Sequence, residues 1–331
     1  IQVYIDDRLA VRGNTTTQWS TLKTVIPLGP HKVSIRSDNY SCTTYLDNVV
    51  IAPGKTNTEL GIQFVSLYND ELKFVNADKV TVRSLGVISP NANTTAQAVA
   101  AVGNEKVVVA FGGNEAHIGV LDLNTFNWRY FDAEALPGGN YSSYSELVVQ
   151  GNFAFTMTRD AYTYTPRITR INLVSGEINL FGTHDYTSLA LDSDGFIYGY
   201  NNAKVYKYDP VSLALVSETS TVNAEKILMD NDNRLIVVTY NEILRYNADR
   251  LIDLHMPISG YSRTALLNDR NELLIANQYG QVNWYSADWQ RSEVLNMQSS
   301  SLATFPQVDG DLDGMPDWWE RHYGLAANDA S

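Results

Sequence analysis

Short apolar runs alternate with clusters of Asp, Asn, Ser and Gly along nearly the whole chain. Almost no segment carries apolar residues at helical spacing over about twelve positions, the length a stable surface helix needs. Alternation bounded by turn residues instead predicts half-buried antiparallel strands. The pattern therefore predicts an all-β protein.

The alternation repeats. Tyr186 to Tyr200 reads YTSLALDSDGFIYGY, Ala224 to Val238 reads AEKILMDNDNRLIVV, and Ser262 to Ala276 reads SRTALLNDRNELLIA. Each is an apolar strand, a polar turn and a second apolar strand. Asp192, Asp230 and Asn268 hold one position at intervals of 38 residues. A third strand follows in each copy: KVYKYD from Lys204, EILRYN from Glu242 and QVNWYS from Gln281. Weaker copies lie upstream. Arg167–Asn172 follows Ser145–Met157, His117–Asp122 follows Ala96–Phe111, and Lys79–Ser84 is read as the third strand after Ile62–Val75. That makes six copies.

Units of about forty residues with about four strands each mark a β-propeller blade. The copies resemble six-bladed propellers with Asp/Asn-rich turns between the first two strands of each blade. They lack the Gly-His and Trp-Asp marks of WD40 blades and the regular Gly-Gly of kelch repeats. A resemblance at this level implies fold and leaves function open. Ser301–Phe305 (SLATF) resembles Ser188–Asp192 (SLALD) and is expected to return and complete the first blade. The alternative is a linker to a following module.

Composition narrows the classes further. Of 331 residues, 44% are hydrophobic, which excludes disorder, and 18% are charged, so the surface leans on neutral polar side chains. The net charge of -13 without a basic cluster argues against nucleic acid and anionic membrane surfaces. No apolar run approaches about eighteen residues, so no membrane-spanning helix is expected. The single cysteine, Cys42, has no internal disulfide partner and reads as a small, buried or half-buried residue. Ile1 opens the chain without an initiator Met or a signal-like segment, as expected of a piece cut or processed from a longer protein.

Residues 1–55 are strand-like too. Trp19, then a Pro27-Leu28-Gly29-Pro30 turn with His31, then Tyr45-Leu46-Asp47-Asn48-Val49 resembles the last half of a galactose-binding-like jelly roll. The resemblance implies a partial β-sandwich here. It carries over no sugar or metal ligand.

Residues 307–331 hold the sharpest chemical signal. Counting from Asp309, carboxylates fall at positions 1, 3, 5, 9 and 12 (Asp309, Asp311, Asp313, Asp317, Glu320), with Gly314 at position 6. This is the ligand spacing of an EF-hand-like calcium loop. Ca²⁺ takes about six to eight oxygens, and a curled loop turns alternate side chains inward. Gly314 allows the sharp turn, Met315 offers its carbonyl, and Glu320 reaches back from a short helix with both oxygens. Carboxylates packed this closely repel unless a cation sits among them. Pro316 and the lack of a preceding helix set the loop apart from paired EF-hands. It resembles thrombospondin type 3 and dockerin-like loops of bacterial surface proteins, which implies a calcium-loaded stalk and further modules of one longer chain.

Catalytic motifs are missing. The five histidines (His31, His117, His184, His255, His322) form no His-Glu-x-x-His, and there is no Gly-x-Ser-x-Gly elbow, Walker loop or dinucleotide fingerprint. Asp192-Ser193-Asp194-Gly195 and Asp230-Asn231-Asp232-Asn233 sit in hairpin turns that favour such residues anyway. His184-Asp185 precedes the first strand of its blade, where propellers often place ligand residues. Tyr144, Tyr186 and Tyr261 occupy similar positions and are expected on one rim, where they could stack on sugar or contact protein; inter-blade packing is the competing account. The sequence thus points to a calcium-stabilised, non-catalytic binding or adhesion module, extracellular or on a cell surface, with a glycan or surface protein as partner. The alternatives are a polysaccharide lyase or glycosidase, and a structural subunit of an extracellular assembly. The middle domain is expected over residues 56–306.

Overall fold

A computed structural model describes residues 2–5, 8–12, 33–36, 62–76, 78–86, 88–90, 94–103, 105–113, 117–131, 146–159, 166–247, 249–258, 262–268, 270–277, 279–290 and 292–305. Among these residues every regular element is a strand. At the amino-terminal end, β1 (Gln2–Ile5) lies between β2 (Arg8–Arg12) and β3 (Val33–Arg36) in a three-stranded antiparallel sheet. The rest of the expected jelly-roll segment lies outside the described residues.

Six four-stranded antiparallel sheets follow, and they are the blades of a propeller. Blade 1 contains β4 (Ile62–Tyr68), β5 (Glu71–Asn76) and β6 (Thr81–Leu85). Blade 2 runs through β7 (Thr94–Val102), β8 (Lys106–Gly113), β9 (His117–Asp122) and β10 (Trp128–Phe131). Blade 3 comprises β11 (Leu147–Gln150), β12 (Phe153–Arg159), β13 (Pro166–Asn172) and β14 (Ile178–Phe181). Blade 4 comprises β15 (Ser188–Leu191), β16 (Ile197–Asn201), β17 (Lys204–Tyr208) and β18 (Leu215–Ser220). Blade 5 has β19 (Lys226–Met229), β20 (Leu235–Val238), β21 (Glu242–Tyr246) and β22 (Ile252–Pro257). Blade 6 has β23 (Ser262–Leu267), β24 (Leu273–Asn277), β25 (Gln281–Tyr285) and β26 (Ser292–Gln298).

The last strand, β27 (Ser301–Thr304), pairs antiparallel with β4 and supplies the missing first strand of blade 1. The expected closure is present, and it shifts one assignment. Because the chain end provides the first strand, β4 and β5 are the second and third. The segment from Lys79, expected as a third strand, contributes the fourth, β6. The first strands adjoin in the order β27, β7, β11, β15, β19, β23 and back to β27, which closes the ring.

Each seam between blades buries one apolar cluster. Val65, Leu67 and Phe74 of blade 1 meet Val107, Val109 and Phe111 of blade 2. Phe155, Ile168 and Phe181 of blade 3 meet Leu189, Ile197 and Tyr206 of blade 4. Leu274, Val282 and Trp284 of blade 6 meet Phe64, Val75 and Leu302 of blade 1. Neighbouring residues of a strand face opposite seams, as the pleat requires: Phe64 turns to blade 6 and Val65 to blade 2. Strands near the axis are therefore buried on both faces, not half-buried as alternation suggested. VVVAF (Val107–Phe111) in β8 and LLIA in β24 read as continuous apolar runs for this reason. The outermost strands keep a wet face: β18 and β22 are mostly exposed.

The closing strand carries a direct test. Leu302 is buried at the last seam, so Leu302→Ala should cost about 2–5 kcal/mol. A chain ending at Gln298 should lose its cooperative melt, while one ending at Phe305 keeps it. Equal melting temperatures for the two truncations, measured by circular dichroism, would sink the closure.

Candidate functional site

Antiparallel blades expose two kinds of face. One carries the turns between first and second strands and between third and fourth. Its acidic residues hold the fold. Asp192 Oδ1 accepts from the Phe196 backbone N–H at 2.8 Å, Asp230 Oδ1 from that of Arg234 at 2.8 Å, and Asn268 Oδ1 from that of Glu272 at 2.9 Å. The 38-residue repeat is this one Asx-type bond made three times. The other oxygen of Asp192 accepts from the Tyr198 hydroxyl at 2.8 Å, and that of Asp230 from Arg234 Nε at 2.7 Å. The turns also join blade to blade. Asn233 Oδ1 accepts from Ser193 N at 2.8 Å, and Asn271 Oδ1 from Asn231 N at 3.2 Å. Asn233 and Asn271 both have φ of 58°, a left-handed state that Asn tolerates better than most residues.

The opposite face gathers the connections into each first strand and the turns from second to third strands. Here His184, Asp185 and Tyr186 link β14 to β15. Tyr186 is buried in the seam between blades 3 and 4. Its ring lies against Gly199, where a Cβ would come within 2.5 Å of Tyr186 Cδ1. Its hydroxyl bonds that of Tyr208 and lies 3.3 Å from His184 Nδ1. Burial, then the Tyr208 hydrogen bond, hold the Tyr186 phenol above its ordinary range, so it stays protonated. His184 is half-buried and stacks on Tyr206, with centroids 4.1 Å apart at 25°. Asp185 is exposed. These three residues are brought together; Tyr144 and Tyr261 lie outside the described residues. So does the whole calcium loop, with Asp309, Asp311, Asp313, Met315, Asp317 and Glu320.

The axis of the ring holds a feature that the sequence reading missed. Ser188, Lys226 and Thr264 each stand four residues before the repeated Asx position. Ser188 Oγ accepts from Ile227 N at 3.0 Å, and Ser301 Oγ makes the same seam contact with Val99 N at 3.1 Å. That equivalence places Ala98, Glu146, Ser188, Lys226, Thr264 and Ser301 at one level, blade by blade. Lys226 of blade 5 forms an ion pair with Glu146 of blade 3, and their side chains are only 12% and 10% exposed. Blade 4 lies between them on the ring, so the pair crosses the channel. Burial pushes the Glu146 carboxyl above the ordinary glutamate range, and Lys226 only partly offsets this. The available signal was one acid and one base at a repeat position otherwise held by Ser, Thr or Ala. The Ser262 hydroxyl, at the start of β23, is buried and has no hydrogen-bond partner among the described residues.

No protein-family model matches the sequence, and no curated protein matches it. Solved structures do resemble the fold. A protein of unknown function from Bacteroides caccae aligns at 11% identity and a TM-score of 0.53, covering 74% of this chain and 99% of that one. A chain of a nidogen–laminin complex aligns at 9% identity and a TM-score of 0.58, covering 74% of this chain and 98% of that one. PorZ, a bacterial surface component of the type-IX secretion system of Porphyromonas gingivalis, aligns at 10% identity and a TM-score of 0.52. That match covers 75% of this chain and 33% of PorZ. At these identities the likeness is one of fold.

The channel pair makes a pH-dependent prediction. Lys226→Met leaves Glu146 buried without a counter-charge and should cost about 3–5 kcal/mol at neutral pH. The folded-state carboxyl already titrates above its ordinary range, so the folded protein binds that proton more readily than the unfolded chain. Its contribution is fully present below the ordinary glutamate value and is lost as pH rises through the raised one. The cost of Lys226→Met should therefore shrink in mildly acidic buffer. Urea titrations of parent and variant at both pH values check this. A pH-independent cost, or a Glu146→Leu/Lys226→Met double variant weaker than Lys226→Met alone, contradicts it.

Proposed function

We propose that this chain is a non-catalytic binding or adhesion module that works at a cell surface or outside the cell, with a glycan or surface protein as partner. The observation that carries the reading is the disposition of buried carboxylates. Asp192 and Asp230 are spent on turns, and Glu146 is paired with Lys226. A glycosidase needs two carboxylates about 5–9.5 Å apart facing a sugar, and these three are held by structural partners instead. The resemblance of fold to PorZ agrees with a surface setting. No helix among the described residues is long and apolar enough to cross a membrane. His184 and Asp185, with Tyr144 and Tyr261, remain the proposed rim of a binding face, and the buried Tyr186 ring backs His184 from the seam.

Calcium completes the proposal. The loop from Asp309 to Glu320 would hold one Ca²⁺ through Asp309, Asp311, Asp313 and Glu320 and the Met315 carbonyl, with Asp317 direct or through water. Oxygen distances of about 2.3–2.6 Å are expected. Five carboxylates face two positive charges, so the loop without calcium repels itself. Mg²⁺ should compete poorly, because it demands shorter, octahedral contacts.

Two experiments test this reading. Protease shaving of intact source cells should remove the epitope of an antibody raised against the propeller; full protection until lysis would refute a surface location. Calorimetric titration with calcium should give heat for the parent and much less for Asp313→Ala. No heat in the parent, or equal heat in both, would refute the loop.

A further inference from the structure

A second site on the connection face stands apart from the residues named so far. At the end of β4, Asn69 and Asp70 have φ of 49° and 63°. Two successive left-handed residues form the tight turn that matches strand twist, and Asn and Asp tolerate it. Asp70 fixes the turn against blade 2, because its Oδ1 accepts from Ala96 N at 2.5 Å. Its backbone carbonyl accepts from Ile88 N at 2.9 Å. Between this turn and the incoming strands of blades 1 and 2 lies a shallow pocket of about 210 Å³, lined by Tyr68, Asn69, Asp70, Thr95, Ala96 and Ser300.

The lining is polar and under-used. Ser300 donates both its N–H and its hydroxyl to the Leu67 carbonyl, at 2.7 and 2.9 Å. The Tyr68 hydroxyl, the Asn69 amide, the second oxygen of Asp70 and the Thr95 hydroxyl have no partner among the described residues. One blade back, the matching turn of blade 6 carries Tyr279, which is 72% exposed. Gly280 beside it has φ of 79°, and a Cβ there would lie 3.2 Å from the Tyr68 ring. The turn bearing Tyr279 therefore abuts the wall of the pocket. Tyr240 stands on the corresponding turn of blade 5 and is 60% exposed. Three neighbouring blades thus present tyrosines at one level of one face.

We propose that this pocket binds one unit of a neutral glycan, with the next unit lying over Tyr279 and the chain running toward Tyr240. A sugar presents an apolar C–H face, which suits an aromatic ring, and a rim of hydroxyls, which suits a carboxylate acceptor and an amide. An acidic glycan is disfavoured by Asp70 and by the net charge of -13. A divalent cation is disfavoured because the pocket offers a single carboxylate where calcium wants about six to eight oxygens. This inference deepens the proposed binding function by naming a ligand class and a site, and it rests on that reading.

The test is saturation-transfer NMR and calorimetry of the full chain with neutral tetrasaccharides of glucose, mannose, galactose and N-acetylglucosamine, beside an oligogalacturonide. At least one neutral tetrasaccharide should bind at millimolar concentration. Tyr279→Ala should weaken it about tenfold, and so should Asp70→Asn, which keeps the turn's acceptor but removes its charge. Tyr279 is exposed, so that variant should melt like the parent. Val211→Ser, on the 83% exposed outer turn of blade 4, should bind like the parent. Failure of every neutral sugar to bind, binding of the oligogalacturonide alone, or binding untouched by Tyr279→Ala would overturn the site. None of these outcomes bears on surface location, which protease shaving decides separately.

Discussion

A blade of this protein has two apolar faces and can cover neither by itself. That constraint governs the rest of the structure. Six clusters, one per seam, exist because each blade lends one face to each neighbour. A row of such sheets would leave two bare faces at its ends. Bending the row into a ring removes them, and hydrogen bonding of β27 to β4 makes the ring continuous. The chain needs no disulfide to hold its ends together, and its single cysteine could supply none.

The ring also explains which parts were legible in the sequence. Blades 4, 5 and 6 repeat at the level of individual bonds, so Asp192, Asp230 and Asn268 announced themselves by spacing. Blade 1 did not, because its first strand is contributed from the far end of the chain. A reading that takes strands in chain order therefore places Lys79–Ser84 one strand too early. Degree of burial was misjudged for a related reason. Alternation reports one wet face, but strands near the axis have none, and their continuous apolar runs carry that information instead.

The candidate sites were less legible than the fold. His184-Asp185 was visible as a pair before a first strand, and for Tyr186 the sequence left rim and inter-blade packing both open without deciding between them. Its burial depends on Gly199, a residue on the next strand whose missing side chain makes room for the ring. Glu146 and Lys226 lie 80 positions apart, and only ring geometry brings them together. Taking both charges out of water offsets much of their attraction. The pair therefore says more about which blades face one another across the axis than about net stability. The Tyr68–Asp70 pocket needed the turn geometry of one blade and the incoming strand of another.

The strand that completes blade 1 has a consequence in time as well as in space. Ser300 bonds Leu67 across 233 positions of chain, so that junction cannot form until nearly all of the propeller has left the ribosome. Blades 2 to 5 can dock on one another as they emerge. Throughout that interval β4 presents a bare strand edge, and the inner residues Phe64 and Val65 lack part of their cover. Closure of so long a loop is slow compared with local hairpin formation. The nascent chain is thus most open to edge-to-edge association with its neighbours just before it is finished. Crowded synthesis should harm its yield more than any property of the mature fold.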